Sequence, residues 1–487
     1  MVEYNKNIVI AGCGGVVQCT LPLLFKHIAI SPKNVTIIDF VDNRARVQEF
    51  LDQGVVYIQE KITPENYTHI LKKHLKSGDL FIDLAWNIDT IAMIQWCHEQ
   101  NVLYINTSIE EWEPYKDIEK VSPNHLTLYH RHMRIKEAIK NWNKKSATAI
   151  VDHGANPGLV SHFTKQALTE IATKIVQEKP QDPRAPKLEE ALATKDFAQL
   201  GYLTNTQVIH ISERDTQITR QPKQVDEFVN TWSVEGFIEE GLAPSELGWG
   251  THEKQLPAGA MTHKNGPHNQ ILLATRGIDT WVRSWVPSGP IVGMVIRHGE
   301  AFGISERLTV WQGDKPVYRP TVHYAYCPTD SALSSLHELR MRNFEQQDSK
   351  RILNNNDIIS GKDEVGCLLM GHDFNGWWIG SLLDINDARK LVPHQNSTTV
   401  QVAISVIAAA LYALKNPEQG FCLPDDIDHE EILKVARPYL GEFFSGPTDW
   451  TPLSGPNQFL VFGKNRPKKE DVWQFSTFLI NNDYYTW

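Results

Sequence analysis

The stretch Ile291-Val-Gly-Met-Val-Ile-Arg-His-Gly-Glu-Ala-Phe302 places His298 two residues before Glu300, so in any strand there the two share a face. A carboxylate that close can hold an imidazole in one tautomer and raise its pKa, and Gly299 between them permits close approach from the opposite side. The plainer outcome is a histidine satisfied inside a core. In Gln207-Val-Ile-His-Ile-Ser-Glu-Arg-Asp215 the strand period puts Ile209, Ile211 and Glu213 on one face. Glu213 is then either a strand-end acid in water or a half-buried carboxylate. Asn230-Thr-Trp-Ser-Val-Glu-Gly-Phe-Ile-Glu-Glu-Gly241 has helical core spacing at Val234, Phe237 and Ile238, with Gly241 as the expected terminator. Trp232 then stands at the helix entrance, while Glu235, Glu239 and Glu240 lie on other faces. An indole with carboxylates suits an organic ammonium, through cation–π attraction and charge pairing. A core tryptophan beside a solvated acidic face is the alternative.

A different chemistry is written near the start. Asn7-Ile-Val-Ile-Ala-Gly-Cys-Gly-Gly-Val-Val17 is a short β-branched run entering a glycine turn, and a helix follows from Gln18. Gly12 suits the tight turn, Gly14 lets backbone amides approach a pyrophosphate, and the helix N-terminus adds partial positive charge. The third glycine of the dinucleotide fingerprint falls on Val17, so the pattern is incomplete, and Gly15 does not replace it. Val35-Thr-Ile-Ile-Asp39 is a second strand ending in an acid, where a carboxylate can take the adenosine ribose hydroxyls and repel the extra phosphate of NADP. Asp42 competes for that role. NAD is the expected cofactor, with an α/β domain lacking any nucleotide as the alternative. The expected contacts are Gly12, Gly14, Gly15, Val16 and Asp39, joined by Ala85, Thr107, Ala155, Asn156 and Pro157 after later strands. The loop Asp152–Gly158 is dense in turn formers and suits a nicotinamide-side segment or a domain-exit turn.

These groups need a scaffold. Further short strands are expected at Val55–Ile58, Leu80–Ala85, Val102–Asn106 and Ala147–Val151, with helices over Thr63–Leu75 and Thr90–Gln100. Strands alternating with helices imply α/β: a Rossmann-like, doubly wound parallel sheet over residues 1–157. After the helix Leu159–Val176 and the prolines between 180 and 186, longer alternating strands point to a second α+β domain. Its sheet is mixed or antiparallel, and residues 158–487 are expected to carry substrate binding and dimerisation. The apolar helix within 396–415 is too short to span a bilayer; it reads as a buried helix capped at Asn396–Thr398 that could return to the first domain. A formal charge of −10, from 48 basic and 58 acidic side chains, argues against a nucleic-acid partner. The N-terminus lacks a signal-peptide layout, and six scattered cysteines without a CxxC pair suit a reducing cytosol and supply no metal site. A soluble cytoplasmic protein with no membrane partner is expected.

Taken in order, several motifs resemble the bacterial homospermidine synthase family, NAD-dependent and related to the saccharopine dehydrogenases. They are the glycine turn Gly12–Gly15, Asp-His-Gly-Ala-Asn-Pro-Gly (152–158), His-Ile-Ser-Glu-Arg-Asp (210–215), Asn-Thr-Trp-Ser-Val-Glu-Gly (230–236), Ser-Glu-Leu-Gly-Trp-Gly-Thr-His-Glu (245–253) and Arg-His-Gly-Glu (297–300). The resemblance covers nearly the whole chain. It implies conversion of two putrescine molecules to sym-homospermidine with release of ammonia, or of spermidine plus putrescine with release of 1,3-diaminopropane. The route runs through an imine and a Schiff base, with NAD regenerated in the cycle. It also implies an ammonium pocket of Trp232, Glu213 and Glu240, and the choice of Glu240 over Glu239 rests on the resemblance alone. Proton transfer falls to His298 with Glu300 or to a carboxylate near Glu111, Asn156 sits between cofactor and substrate, and Asn87 joins the site. A homodimer is implied as well. The competing expectations are an opine- or saccharopine-type dehydrogenase, which would want arginine anchors such as Arg214 or Arg297, and a non-catalytic NAD-sensing protein.

Overall fold

A computed structural model describes residues 1–114, 122–143, 145–353, 356–454 and 468–480. The chain divides into two units: Met1–His162 with Leu353–Asn356 and Ile385–Gly441, and Phe163–Ile352 with Asp357–Asp384 and Glu442–Trp487. The chain thus leaves the first unit near residue 162 and returns to it at 385–441, a stretch that contains the helix expected to be able to return. The return is built on the helix Ser397–Lys415, whose mean hydropathy of 1.7 comes from a run that is 83% buried within the structure. So apolar a helix needs a core on every side, and the strand Phe421–Cys422 that follows adds to the first unit's sheet. Its start is fixed by Asn396, whose side chain accepts from Thr399 N at 2.7 Å while Thr399 Oγ1 meets Asn396 N at 3.2 Å, a complete capping box. Asn396 Nδ2 also donates to Leu353 O at 2.8 Å, which draws the Leu353 segment into this unit.

The first unit carries a seven-stranded, all-parallel sheet. Its order is Phe421–Cys422, Ala149–Ile150, Leu103–Asn106, Leu80–Asp83, Ile8–Ala11, Val35–Asp39 and Val56–Gln59. The six expected strands are all there, Val35–Asp39 with its expected limits and the others shorter than or shifted by a residue or two from the apolar run that announces them. The seventh comes from the returning segment. The order of winding reverses between Ile8–Ala11 and Leu80–Asp83, the switch point outside which ligands of such sheets bind. The inner strands are buried on both faces, so they read as continuous β-branched runs rather than alternating ones. The helix Thr90–Gln100 matches its expected limits, held by Asp89 accepting from Ala92 N at 2.8 Å. The expected helix over Thr63–Leu75 begins later, at Tyr67.

The second unit is built on a ten-stranded mixed sheet. Val208–Asp215 runs parallel to Thr321–Cys327 and antiparallel to Lys362–Met370, and Gly376–Asp384, Glu442–Thr448 and Pro244–Gly248 extend the two sides. Val208–Asp215 thus lies inside the sheet, and all but one of its residues are buried. That placement answers the question Glu213 raised, for it is 4% exposed, as is Asp215 beyond it.

Candidate active site

The glycine turn sits at the carboxyl end of Ile8–Ala11. Gly12 adopts φ +90°, and a Cβ there would lie 2.9 Å from Leu84 O, so only glycine fits. A Cβ on Gly14 would meet nothing within 4 Å, leaving its backbone open to a ligand at the N-terminus of the helix Gly15–His27. Val16 lies in the first turn, half-buried, and Val17, where the fingerprint wants glycine, is buried in the helix's inward face. The helix thus starts at Gly15 rather than Gln18. Asp39, 8% exposed at its strand end, accepts from Val41 N at 2.8 Å and Asn43 Nδ2 at 3.3 Å. Its rival Asp42 is an exposed acid paired with Arg44 at 2.9 Å.

Three further strand ends carry the remaining residues expected at the cofactor. Ala85 donates its N–H to Asp83 Oδ1 at 3.2 Å. Asn87 sits at φ +59°, and its Oδ1 is buried without a hydrogen-bond partner among the described residues. Thr107 packs beside Gly154, whose Cβ position is 3.5 Å from Thr107 Cβ. The loop through Ala155 and the cis Asn156–Pro157 bond closes on itself, with Gly154 N donating to Pro157 O at 2.6 Å and Leu159 N to Gly154 O at 2.9 Å. Glu111 is committed elsewhere: Arg131 Nε lies 3.2 Å from its Oε2, and Arg134 pairs with its Oε1. Two guanidiniums occupy its two oxygens, which leaves neither free to meet an amine.

In the second unit the expected acids and indole come together around two tyrosines. Tyr324 and Tyr326 alternate along Thr321–Cys327 and stack with ring centroids 5.2 Å apart. Tyr324 OH donates to Glu213 Oε2 at 2.6 Å, and Trp232 Nε1 donates to Tyr326 OH at 3.0 Å. Phe237 packs against both Trp232 and Tyr326. The His298 ring lies over Tyr324 at 4.4 Å, with Nε2 at 2.9 Å from Glu240 Oε2 and Nδ1 at 3.3 Å from Glu300 Oε1. Burial alone would lower the His298 pKa, yet Glu240 and Glu300 together raise it well above the ordinary histidine range, so the ring is an imidazolium at neutral pH. Asp215, tied to Thr231 Oγ1 at 2.7 Å and Gln217 N at 2.9 Å, is pushed by burial up to about 6. Asp363 pairs with it across the sheet, and burial with Glu213, Asp215 and Asp363 pushes the Tyr326 phenol well up. The result is an acidic, aromatic-walled site.

Two sequence expectations are corrected here. His298 and Glu300 do not share a strand face: His298 is the N-cap of the helix Gly299–Arg307 and Glu300 lies in its first turn, where the helix dipole favours a carboxylate. Gly241 does not end its helix, which runs Val234–Leu242 until Pro244 stops it. Instead Gly241 permits close approach, since a Cβ would lie 2.7 Å from Ile278 Cγ2.

Family models for the saccharopine dehydrogenase NADP binding domain and the saccharopine dehydrogenase C-terminal domain match residues 8–150 and 154–445. The chain is 38% identical over 484 residues to homospermidine synthase of Mesorhizobium japonicum, covering 98% of this chain and 97% of that one. It is 37% identical over 486 residues to the Blastochloris viridis homospermidine synthase, covering 99% and 98%. The chain belongs to the homospermidine synthase family. A crystal structure of the Legionella pneumophila homospermidine synthase in complex with NAD superposes with a TM-score of 0.87 at 36% identity, over 99% of each chain.

For a homospermidine synthase chain, the structure separates the neighbouring acids that helical periodicity leaves equivalent. Glu239 Oε1 accepts from buried Arg297 at 3.0 Å, while Glu240 meets His298. Sequence reasoning missed Tyr324, Tyr326, Asp215 and Asp363. The signal for the tyrosines was present, as His323-Tyr-Ala-Tyr326 places them at strand spacing. No local pattern marks Asp363, because only the register with Val208–Asp215 brings it to Asp215.

Proposed function

We propose that this protein is a homospermidine synthase. It joins two putrescine molecules into sym-homospermidine with loss of ammonia, or takes the aminobutyl group from spermidine with loss of 1,3-diaminopropane. The observation that carries this reading is the linked assembly of buried Tyr324, Tyr326, Glu213, Glu300 and His298 with half-buried Trp232 and Glu240, electron-rich walls and carboxylates matched to a dication. Glu213 and Glu240 take ammonium ends, and the indole face of Trp232 takes a cation between them.

NAD, when bound, supplies the acceptor and later the donor of the hydride, so the cycle has no net redox change. The open Gly14 backbone, the forced glycine at Gly12 and the carboxylate of Asp39 fit a dinucleotide with free ribose hydroxyls. Asp39 favours NAD, although the matching family model is described for NADP. Gly15, Val16, Ala85, Thr107, Ala155, Asn156 and Pro157 complete the cofactor side, with Asn87 offering its unpartnered carbonyl.

The proton chemistry falls to His298. Held charged by Glu240 and Glu300, the ring donates a proton to a departing amine rather than waiting as a base. A diammonium entering beside the same carboxylates weakens that hold, so substrate binding itself frees the ring to accept the amine proton in return. Arg297 is bound to Glu239 and unsuited to anchor a substrate carboxylate, which weighs against an opine-type dehydrogenase. The resemblance supports a homodimer, which the mass in solution tests, and the six free cysteines support a cytoplasmic setting.

Purified protein given putrescine and substoichiometric NAD is expected to form homospermidine and ammonia, read by mass spectrometry, without lasting NADH. Steady NADH accumulation with amino acids and no polyamine product would establish the opine-type reading instead. Bound NAD with no turnover of any diamine would point to a sensor.

A further inference from the structure

Beneath the loops that follow the sheet strands of the first unit lies a buried hydrogen-bonded array that the reaction scheme does not use. Asp83 closes the strand Leu80–Asp83 and is 5% exposed. Its Oδ1 accepts from Ala85 N at 3.2 Å and its Oδ2 from Tyr104 OH at 3.1 Å. The Tyr104 oxygen accepts from Asn106 Nδ2 at 3.1 Å, and Asn106 Nδ2 also donates to Thr90 Oγ1 at 3.2 Å. Asn106 Oδ1 accepts from Asp152 N at 2.9 Å, while Thr90 Oγ1 accepts from Glu110 N at 2.9 Å. Three cofactor-side segments are thereby tied to one array: 84–89 through Ala85, 107–111 through Glu110, and 152–158 through Asp152.

We propose that Asp83, Tyr104 and Asn106 are positioning residues for the dinucleotide, holding these segments in the one arrangement that receives it. The inference rests on the NAD reading above and on the proton count of the array. The Asp152 N–H requires the Asn106 carbonyl oxygen, so the amide cannot flip. Tyr104 therefore receives an amide proton and points its own proton at Asp83. With Asp83 ionised, the Ala85, Tyr104 and Asp152 donors and the Asn106 amide all meet acceptors. A proton on Asp83 adds a donor where no acceptor is left.

Burial nevertheless pushes the Asp83 carboxyl up to about 7, against the Ala85 and Tyr104 hydrogen bonds that hold it down, and nearby Glu110 pushes the same way as burial. The other titratable groups facing it are Tyr104 and, from the helix Thr90–Gln100, Cys97. Burial lifts both well above their ordinary ranges, so both stay neutral. Asp83 thus gains its proton as pH falls through about 7, and the segments loosen in that direction.

The test measures NAD binding by calorimetry, with no amine present, from about pH 5.5 to 8.5, alongside thermal unfolding. Wild-type affinity is expected to rise about three- to tenfold through neutrality, the effect of one buried hydrogen bond. Asp83→Asn carries a permanent surplus donor, so it is expected to bind weakly and without the step. Tyr104→Phe is expected to keep the step but move its midpoint upward, because the ionised carboxyl has lost a donor. Should Asp83→Asn fail to fold, the Tyr104→Phe midpoint decides. Folded variants with wild-type affinity and midpoint overturn the inference. A wild-type protein that binds no NAD at any pH overturns the cofactor reading beneath it.

Discussion

The contrast between Glu239 and Glu240 shows how much one residue's neighbours decide. Both sit near the end of one helix, yet Glu239 neutralises a guanidinium that is 3% exposed, while Glu240, with 28% of its side chain exposed, shares a proton-bearing ring. Glu240→Gln is expected to lower the His298 pKa and reduce diamine kcat/KM by about tenfold or more, with stability little changed. Glu239→Gln takes the carboxylate away from a buried guanidinium, so it is expected to cost roughly 3–5 kcal/mol of stability. Denaturant unfolding and steady-state kinetics on both variants check the pair. Equal kinetic damage from both would remove the special role of Glu240. Residue type alone left Trp232, Glu213 and the His298–Glu300 pair open between a core role and a cation site, and the order of motifs shared with the homospermidine synthase family is what singled them out.

At the scale of elements, the sequence marked where chemistry stands better than which conformation carries it. Arg297-His-Gly-Glu300 reads equally as a strand or as a helix start, since two-residue spacing serves a strand face and also a cap with its first turn. The packing of Ala301, Phe302 and Ile304 into the core decides for the helix. The loop Asp152–Gly158 is specified more tightly. Gly158 holds φ +132°, and a Cβ there would fall 1.9 Å from Gly154 O. Gly158→Ala is therefore expected to destabilise the first unit by more than about 2 kcal/mol and to cost most of its NAD affinity. A variant that melts and binds NAD like the wild type would show that the loop can open without loss.

At the scale of the whole molecule, the motif Ser245–Glu253 finds its use in holding the C-terminal segment to the second unit's sheet. Glu253 accepts from Thr321 Oγ1 at 2.6 Å and from Phe475 N at 3.1 Å, His252 Nε2 meets Trp473 O at 3.0 Å, and Lys254 Nζ pairs with Asp471 at 2.5 Å. Burial pushes the Glu253 carboxyl up to about 7, against the Thr321 and Phe475 hydrogen bonds. A folded-state pKa above the unfolded one means stability that is full below the unfolded pKa and lost as pH rises through 7. This one group is expected to remove up to about 3 kcal/mol between roughly pH 4.5 and 7. Glu253→Gln should abolish that slope, read as the wild-type-minus-variant difference in unfolding free energy. The difference cancels the opposing low-pH loss from buried His210 and His323, which must charge on acidification. An unchanged slope would place the pH dependence elsewhere.

The sequence by itself determined the parallel sheet and the glycine turn with Asp39, and its motifs pointed through a family resemblance to the acids and the indole. These depend on local periodicity, on turn chemistry, and on motifs short enough to read along the chain. Tertiary structure alone decided that residues 385–441 rejoin the first unit, because an apolar helix names its need for a core but not which core. It alone brought Tyr324, Tyr326 and Asp363 to Glu213 and Asp215, since strand register joins residues more than a hundred positions apart. It alone assigned Arg297 to Glu239 and His298 to Glu240, because the pairing of charges depends on distances that no spacing along the chain encodes.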